Sequence, residues 1–458
     1  MLRVRIGINY GPLATRRFHE LSVFGDQING CCNMVFKKIR LRQERVEKDC
    51  FLDVTIVLPF LLSNPTPFRG NIMVRNFSFS RVPDVRVGPG SILQLADITD
   101  VLRVKAPIIV TDEGIIDFGL LDAAVSSLSS TNIRPTIFSG VVADPPESIL
   151  TEALSVAKQN GCDGVIGFGG GSSMDVAKVL SVLMASDQNM VSMYGVDRVT
   201  GVRLPLIQIP TTAGTGSEAT MVSVITTGKT TKAGIVSRTL LADAVILDAR
   251  LTLGLPPHIT AATGIDAMVH AIESYTSVRL KNPISDMLAL EALRLLSTNI
   301  RTVIKHGNNA EAREAMLVGA MYAGEAFANA PVAAVHALAY PLGGNYHIPH
   351  GLTNSLVLPH VLRFNYLQAA ELYDQLVPVI LGSDGPYAGA EESALVLAGY
   401  FTELADELGL PTTLQQMNVP ERDLPRLAEE AMTQTRLLIN NPRPVSEKDA
   451  LKIYRQAF

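Results

Sequence analysis

The sequence predicts a fold in two parts, an α/β part followed by an all-helical part. Between residue 73 and residue 253, short runs rich in Val, Ile and Leu alternate with stretches of helical apolar spacing. Such alternation predicts a parallel sheet that is covered by helices on both faces. After residue 254 the strand patterns stop, and the remaining stretches have helical spacing. We therefore expect an α/β domain over residues 73–253 and a helical domain over residues 254–458.

The composition indicates an ordinary globular protein. Hydrophobic residues make up 47% and charged residues 18% of the 458 residues, which is enough chain for two or three domains. The net charge of −5 argues against a basic surface for nucleic acid. We expect no signal peptide, and the longest apolar candidate near the start, residues 51–62, is too short to span a membrane. We therefore expect a cytoplasmic protein with reduced cysteines and no membrane partner.

The elements of the α/β part follow one another in a regular order. A helix is expected over residues 144–161, with Asp144 as its N-cap and Gly161 just past its end. A strand, a glycine turn and a helix are expected over residues 164–184. Further strands are expected within residues 106–114, 134–142, 204–218 and 243–249. The carboxyl ends of such strands form one edge of the sheet, which is where ligands bind.

A glycine turn follows the strand that ends near residue 168. It consists of Gly169, Gly170, Gly171 and Ser172, and it opens a helix. Glycines let backbone N–H groups approach a phosphate, and a helix N-terminus favours an anion. Many strand–helix turns, however, need glycine only for their geometry. The spacing differs from G-x-G-x-x-G, so the domain is expected to be Rossmann-like but connected differently.

Polar residues near other strand ends complete a candidate cofactor site. Asp112 can bind ribose hydroxyls and would repel a 2′-phosphate, which favours NAD over NADP, or it can simply cap the turn in TDEG. Lys232 can reach a ribose or a phosphate, although such a lysine is more often solvated. The loop PTTAGTGSE follows a strand directly and supplies hydroxyl groups from Thr211, Thr212, Thr215 and Ser217.

Four residues of the helical part indicate one metal site. Asp266 and His270 are four residues apart in a stretch of helical spacing, which puts both side chains on one helix face. His336 and His350 follow in HALAYPLGGNYHIPH, an apolar segment that leads into a loop. Three imidazoles and one carboxylate suit Fe²⁺ or Zn²⁺, and they suit Mg²⁺ and Ca²⁺ poorly. Taken singly, each histidine is more often a core or cap residue.

Six stretches of the helical part have helical spacing. We expect helices at residues 259–277, 284–305, 309–329, around 352–380, 391–409 and 421–439. Gly409 and Pro411 mark the end of the fifth helix.

Four motifs resemble those of the iron-containing, or group III, alcohol dehydrogenases. They are GGGSSMDVAK (169–178), PTTAGTGSEAT (210–220), ATGIDAMVHAIESY (262–275) and HALAYPLGGNYHIPHGLTNSLVLPHV (336–361). The resemblance covers residues 73–458. It implies an N-terminal Rossmann-like dinucleotide-binding domain, a C-terminal helical metal-binding domain and a catalytic cleft between them, an architecture shared with dehydroquinate synthase.

The resemblance also implies a role for each site residue. The implied metal ligands are Asp266, His270, His336 and His350. The implied pyrophosphate contacts are Gly169, Gly170, Gly171 and Ser172. The implied contacts on the nicotinamide side are Asp175, Thr211, Thr212 and Thr215, and those to ribose are Asp112 and Lys232.

The proton route departs from the family pattern. Many members carry a second histidine four residues after the first ligand of the last motif, where this chain has Tyr340. A tyrosine with its ordinary pKa of about 10 is a poorer base than histidine. Tyr340 and His347 are the candidates for passing the proton to water. His347 can instead support the neighbouring ligand His350.

Residues 1–72 are an extension that the family lacks. They hold Cys31, Cys32 and Cys50 and a basic run, KKIRLRQER. Residues 5–30 faintly resemble part of a class III nucleotide cyclase domain, without the portion that carries that family's metal-binding carboxylates. We expect a disordered or poorly packed segment without cyclase activity, either a gene-fusion remnant or a misassigned start.

These observations predict reversible, NAD-linked oxidation of a primary alcohol, a hydroxyacid or a diol to the aldehyde, with Fe²⁺ or Zn²⁺. One alternative is a lyase or a polyol-phosphate dehydrogenase of the same architecture. Residues 255–278 and 331–361 contain no lysine and no arginine, which argues against an anionic sugar phosphate. Another alternative is a nucleotide-binding protein with an inactive site. We expect a homo-oligomer, a dimer formed through strands near the start of the α/β domain, as is common in the family.

Overall fold

The computed structural model describes residues 2–7, 51–56, 76–228, 231–382 and 390–458. The chain divides into two compact units, Met1–Val74 and Arg75–Phe458. In the first unit, strands β1 (Leu2–Gly7) and β2 (Phe51–Ile56) pair in antiparallel fashion. The predictions of a disordered or cyclase-like segment otherwise lie outside the described residues.

A six-stranded sheet forms the centre of the α/β part. The strands of the second unit are β3 (Asp84–Val87), β4 (Pro107–Val110), β5 (Thr136–Phe138), β6 (Gly164–Gly169), β7 (Gly195–Val196), β8 (Leu206–Pro210), β9 (Val222–Thr227), β10 (Thr231–Val236) and β11 (Ala244–Leu247). The sheet order is β3-β11-β8-β6-β4-β5, and every neighbouring pair is parallel. The predicted parallel sheet is therefore confirmed.

Helices cover both faces of this sheet. They are α1 (Leu95–Val101), α2 (Glu113–Asp117), α3 (Asp122–Ser129), α4 (Glu147–Gln159) and α5 (Gly171–Ala185). On β4, Ile108 and Val110 pack in the core formed with α4 and α5. Ile109, between them, packs in the core formed with α1 and α3. Successive side chains of a strand point to opposite faces, so a continuous apolar run is what a sheet buried on both faces requires.

A small second sheet, in the order β7-β10-β9, was not predicted. It changes the role expected of Asp144. Helix α4 begins at Glu147, Pro146 occupies its N-cap position and Asp144 has a φ of 52°. The carboxylate of Asp144 lies 2.6 Å from Nζ of Lys232 on β10. The prediction that Asp144 caps α4 is therefore wrong, because this carboxylate pairs with a lysine of the small sheet.

The helical part is built from nine described α-helices. They are α6 (Pro257–Thr276), α7 (Pro283–Lys305), α8 (Ala310–Asn329), α9 (Ala334–Tyr346), α10 (His350–Leu381), α11 (Ala390–Glu407), α12 (Leu424–Met432), α13 (Thr435–Leu438) and α14 (Glu447–Ala457). The segment around His336, predicted to be apolar and then a loop, is helix α9. The predicted helix 421–439 is split into α12 and α13 after a 3₁₀ turn. Every helix that the structure describes is too short or too polar to cross a lipid bilayer.

The two parts of the second unit meet at two glycines. Gly216 follows β8 in the α/β part and has a φ of 60°, and Gly324 lies within α8. A Cβ at Gly216 would lie 2.6 Å from the Cα of Gly324, and a Cβ at Gly324 would lie 2.6 Å from the carbonyl oxygen of Gly216. Only glycine at both positions allows the backbones to approach this closely.

Candidate active site

Four side chains from three helices converge in the helical part. Asp266 and His270 lie one turn apart on α6, His336 lies on α9, and His350 is the first residue of α10. One ligand atom from each lies within 4.8 Å of the others, and all but His350 are buried. The structure therefore brings the predicted ligand set together.

Glu273 fixes the position of His336. Its Oε2 lies 2.6 Å from Nδ1 of His336. Its carboxylate also accepts hydrogen bonds from the N–H groups of Ala333 and Val335 at the start of α9, at 3.0 and 2.6 Å. A carboxylate is favourable at a helix N-terminus, where unpaired N–H groups point outward. Because Nδ1 is engaged, Nε2 of His336 is the nitrogen left to bind a metal.

The donor atoms suit a transition metal. Nε2 of His270 and Nε2 of His350 lie 4.0 and 3.8 Å from Oδ1 of Asp266. Burial lowers the pKa of His270 to about 4 and that of His350 to about 3. Both rings are therefore neutral at neutral pH and offer a lone pair. Neutral imidazoles with one carboxylate fit Fe²⁺ or Zn²⁺.

A cavity of about 240 Å³ lies beside these ligands. His270, His336 and His350 line it from the helical part, and Gly171 and Ser172 line it from the α/β part. Gly171 and Ser172 also line a groove of about 1020 Å³ that follows the carboxyl ends of the central strands. The cavity and the groove therefore meet at the N-terminus of α5.

The three glycines of the turn differ in their backbone conformation and in the space around them. Gly169 has a φ of 145°, a region that favours glycine. A Cβ at Gly171 would lie 2.8 Å from Cγ2 of Thr215. A Cβ at Gly170 would meet no protein atom nearer than 3.9 Å. The first and third glycines thus serve local geometry, and Gly170 leaves the backbone open to the groove.

Asp112 caps a turn and also reaches the groove. Its Oδ1 accepts a hydrogen bond from the N–H group of Ile115 at 3.2 Å, which caps α2. Its Oδ2 would lie 3.4 Å from a Cβ at Gly169. Asp112 lines the groove together with Thr211 and Thr212. One carboxylate oxygen of Asp112 therefore caps the turn, which was one of the two predicted alternatives. The other oxygen lies at the edge of the sheet where ligands bind.

Asp175 and Lys232 line the cavity but already have protein partners. The carboxylate of Asp175 accepts hydrogen bonds from Oγ of Ser217 at 2.6 Å and from the N–H group of Val224 at 2.8 Å. The Lys232 ammonium is paired with a carboxylate, as described above. Thr215 lines the same wall. Asp175 therefore orders the loop that carries the hydroxyl groups.

Of the two candidates for proton transfer, Tyr340 lines the cavity and His347 does not. The Tyr340 ring lies 5.9 Å from the His350 ring. Burial raises the pKa of Tyr340, and the neighbouring Arg436 opposes this rise only in part. The hydroxyl therefore stays protonated. His347 is exposed at the C-cap of α9, with a φ of 55°, outside the described lining of the cavity.

Three residues of the site were not singled out by the sequence patterns: Glu273, Asn354 and Arg436. The first two carry a signal, since they follow His270 by three residues and His350 by four and so share a helix face with them. Nδ2 of Asn354 donates to the ligand carboxylate at 2.6 Å. Arg436 has no such signal, because it lies on the four-residue helix α13.

Basic side chains reach the cavity from outside the segments that carry the ligands. Residues 255–278 and 331–361 contain no lysine and no arginine. Lys232 on β10 and Arg436 on α13 line the cavity from outside those segments. A sequence window around the ligands does not show residues that tertiary packing brings to them.

Comparison with known proteins decides the family. The family model described as "Iron-containing alcohol dehydrogenase" matches residues 83–249. The family model described as "Fe-containing alcohol dehydrogenase family, C-terminal" matches residues 260–458. The Long-chain-alcohol dehydrogenase 1 of Geobacillus thermodenitrificans is 38% identical over 382 residues, 82% of this chain and 95% of that protein. The chain belongs to the iron-containing alcohol dehydrogenase family.

Two solved structures extend the comparison. A 1,3-propanediol oxidoreductase is 33% identical, with a TM-score of 0.80 over 84% of this chain and 100% of that chain. A sulfoacetaldehyde reductase from Bifidobacterium kashiwanohense, solved in complex with NAD⁺, is 28% identical, with a TM-score of 0.75 over 84% of this chain and 99% of that chain. The predicted family, fold class and enzyme class, an NAD-linked iron-containing alcohol dehydrogenase, are confirmed. The lyase and non-enzymatic alternatives are not favoured.

Proposed function

We propose that the chain oxidises a small primary alcohol reversibly, with the alcohol in the cavity beside the four ligands and NAD in the adjoining groove. One observation carries this proposal: the cavity and the groove share Gly171 and Ser172. A nicotinamide that enters from the groove would lie next to the ligand cluster. That arrangement suits hydride transfer, which needs reacting atoms about 3–3.5 Å apart.

The proposed roles divide between the two parts of the chain. Residues 73–253 would hold the cofactor, and residues 254–458 would hold the metal. The proposed metal ligands are Asp266, His270, His336 and His350. The proposed cofactor contacts are Asp112, Gly169, Gly170, Gly171, Ser172, Thr211, Thr212 and Thr215. Asp175 and Lys232 would shape the wall of the site, since their charges already have partners.

The residues of the chain contribute by holding the metal-binding side chains in position. A bound Fe²⁺ or Zn²⁺ ion supplies a Lewis acid, which lowers the pKa of an alcohol oxygen. Glu273 orients His336 through Nδ1, and the ring of Phe327 stacks on His270 at 4.5 Å, which holds the two imidazoles in place. Tyr340 keeps its own proton, so we propose that the alcohol proton leaves through water.

The test is NADH oxidation with butanal, on protein stripped with chelator and reloaded anaerobically with Fe²⁺, Zn²⁺ or nothing. We expect activity to return with one metal and to prefer NADH over NADPH. His270→Ala should lose both metal content and activity. The exposed His306 offers a matched control, and His306→Ala should keep both. A His270→Ala protein with full activity in metal-free buffer would contradict the assignment.

We also propose a homodimer located in the cytoplasm. Strand β3, the first strand of the α/β part, lies at one end of the described six-stranded sheet and can pair with a second copy. Light scattering should give twice the mass of one chain, and the mass of a single chain would contradict the dimer. The free, buried Cys162 is compatible with a reducing compartment. Cell fractionation tests the location.

A further inference from the structure

Arg436 contributes a cation to the wall of the cavity that holds the four ligands. It lies on α13 and is partly buried. Its guanidinium packs against the backbone of β10, where a Cβ at Gly234 would lie 3.3 Å from Nη2. It also lies close enough to the Tyr340 hydroxyl to act on its pKa. The guanidinium is thus held at a defined place by the chain around it.

The charge of Arg436 is not balanced by the protein. Among the described residues, no carboxylate lies within 4.0 Å of its nitrogens, whereas the other cations at this wall are paired. Nζ of Lys232 lies 2.6 Å from Asp144. Nζ of Lys178, beneath the wall, lies 3.6 Å from Asp175 and donates to three oxygens. A guanidinium that faces a small cavity without a counter-charge is a receptor for an anion.

We propose that Arg436 binds the anionic end, a carboxylate or a sulfonate, of a short aldehyde substrate whose carbonyl oxygen lies at the ligand cluster. This inference rests on the proposed function and names the substrate class for the same site. The Tyr340 ring lies 5.9 Å from the His350 ring, and its hydroxyl is next to Arg436. The ligand cluster and Arg436 line the same cavity of about 240 Å³, which suits a molecule of a few carbons.

A sugar phosphate does not fit this arrangement. The cavity is about 240 Å³, and Arg436 is its one described cation without a carboxylate partner. In the proposed reaction NADH gives a hydride to the aldehyde carbon, the carbonyl oxygen takes a proton from water, and the products are the anionic alcohol and NAD⁺. The anion itself takes no part in bond making. Arg436 is thus a binding residue that selects the substrate.

The test compares three aldehydes of matched length: 4-oxobutanoate, 3-oxopropane-1-sulfonate and butanal. We expect wild-type kcat/KM with NADH to be at least about tenfold higher for one anionic aldehyde than for butanal. The better of the two anions identifies the anionic group. Arg436→Gln should lower kcat/KM for that anion about 10- to 100-fold, and the ratio of kcat/KM for that anion to kcat/KM for butanal should fall about tenfold or more. Arg436→Lys should retain part of the preference.

A binding measurement accompanies the kinetics, so that it does not depend on turnover. With chelator-treated protein, 4-hydroxybutanoate should raise the melting temperature of wild type and not that of Arg436→Gln, and 1-butanol should raise neither. Arg422→Gln, at a side chain that is 86% exposed, is the matched control and should behave as wild type.

The outcomes separate this inference from the proposed function. If butanal is reduced at least as well as both anions, the anion inference is overturned and the proposed function stands. If the anion preference persists in Arg436→Gln, the assignment to Arg436 is overturned. If metal-loaded protein reduces none of the aldehydes, the proposed function fails, and the inference fails with it.

Discussion

Oε2 of Glu273 lies 2.6 Å from Nδ1 of His336. The same carboxylate accepts hydrogen bonds from two N–H groups at the start of α9, the helix that carries this histidine. We expect Glu273→Gln to weaken Fe²⁺ binding by about 10- to 100-fold, because His336 loses the partner that fixes its orientation. The amount of Fe²⁺ that each protein retains at increasing chelator concentrations measures this loss of affinity. Glu325→Gln removes another buried carboxylate and should retain wild-type metal binding. Equal retention by the two variants would contradict the role of Glu273.

The glycine turn allows a paired prediction. Gly170→Ala should leave the melting temperature unchanged, because its Cβ meets no protein atom within 3.9 Å, and it should weaken NADH binding, because the methyl group enters the groove. Gly171→Ala should instead destabilise the fold by about 1–3 kcal/mol, since its Cβ would lie 2.8 Å from Thr215. Thermal unfolding and NADH titration separate the two effects. An unchanged affinity of Gly170→Ala for NADH would count against the binding of a cofactor phosphate to the backbone at Gly170.

Cofactor choice should depend on Asp112. Asp112→Asn keeps an oxygen to cap α2 and removes the charge at the groove. The ratio of kcat/KM for NADPH to that for NADH should rise about tenfold, a change of about 1.4 kcal/mol. Asp117→Asn, at an exposed position of the same helix, is the control and should leave the ratio as it is. The assignment fails if both variants keep the wild-type ratio.

Tyr340 should not act as the base. Burial raises its pKa above the ordinary value, so the hydroxyl does not ionise near neutral pH. Tyr340→Phe should therefore keep kcat for butanal within a few-fold, with an unchanged pH profile between about pH 6 and 9. Steady-state kinetics across this range measure the effect. A loss of more than about a hundredfold would show that the hydroxyl transfers the proton.

Stability should depend on pH through Glu218. Burial raises its pKa to about 7 from 4.5, and the nearby carboxylate of Glu325 adds to this rise. Because the folded state binds this proton more tightly than the unfolded chain, the stabilisation is full below pH 4.5 and is lost as the pH rises through 7. Relative to Glu218→Gln, wild type should lose about 3 kcal/mol of unfolding free energy between about pH 4.5 and 8.

Urea unfolding at several pH values measures that difference. The exposed Glu429→Gln variant should follow the wild-type curve. If Glu218→Gln follows it as well, Glu218 does not hold a proton at neutral pH.

The sequence predicts those parts of the site whose residues are spaced by about one turn of a helix. Asp266 and His270 share a helix face, so their spacing alone brings them together. Helix α9 was not predicted, because Pro341 and two glycines near its end indicate a turn. It forms nonetheless, since Glu273 caps its start and its apolar residues are buried. Here tertiary contacts outweigh local preference.

Other features have no local pattern at all. Arg436 reaches the cavity because α13 packs near α9, and nothing within its four-residue helix indicates a cavity wall. In the small sheet, β7 escapes prediction for a similar reason, since it has only two residues. In the central sheet, β4, β6, β8 and β11 were predictable because each is an apolar run in consecutive residues. Strand β3 has the sequence DVRV, which lacks such a run, and it was not predicted.

The contact between Gly216 and Gly324 has a mechanical consequence. No side-chain atoms separate the two backbones there, so the contact cannot slide without a collision. The two parts of the chain are therefore held in backbone contact at this point. Gly216 lies between Thr215 and Ser217, in the loop that lines the cavity. A side chain at Gly216 or Gly324 would therefore displace this loop, and with it one wall of the cavity, away from α8.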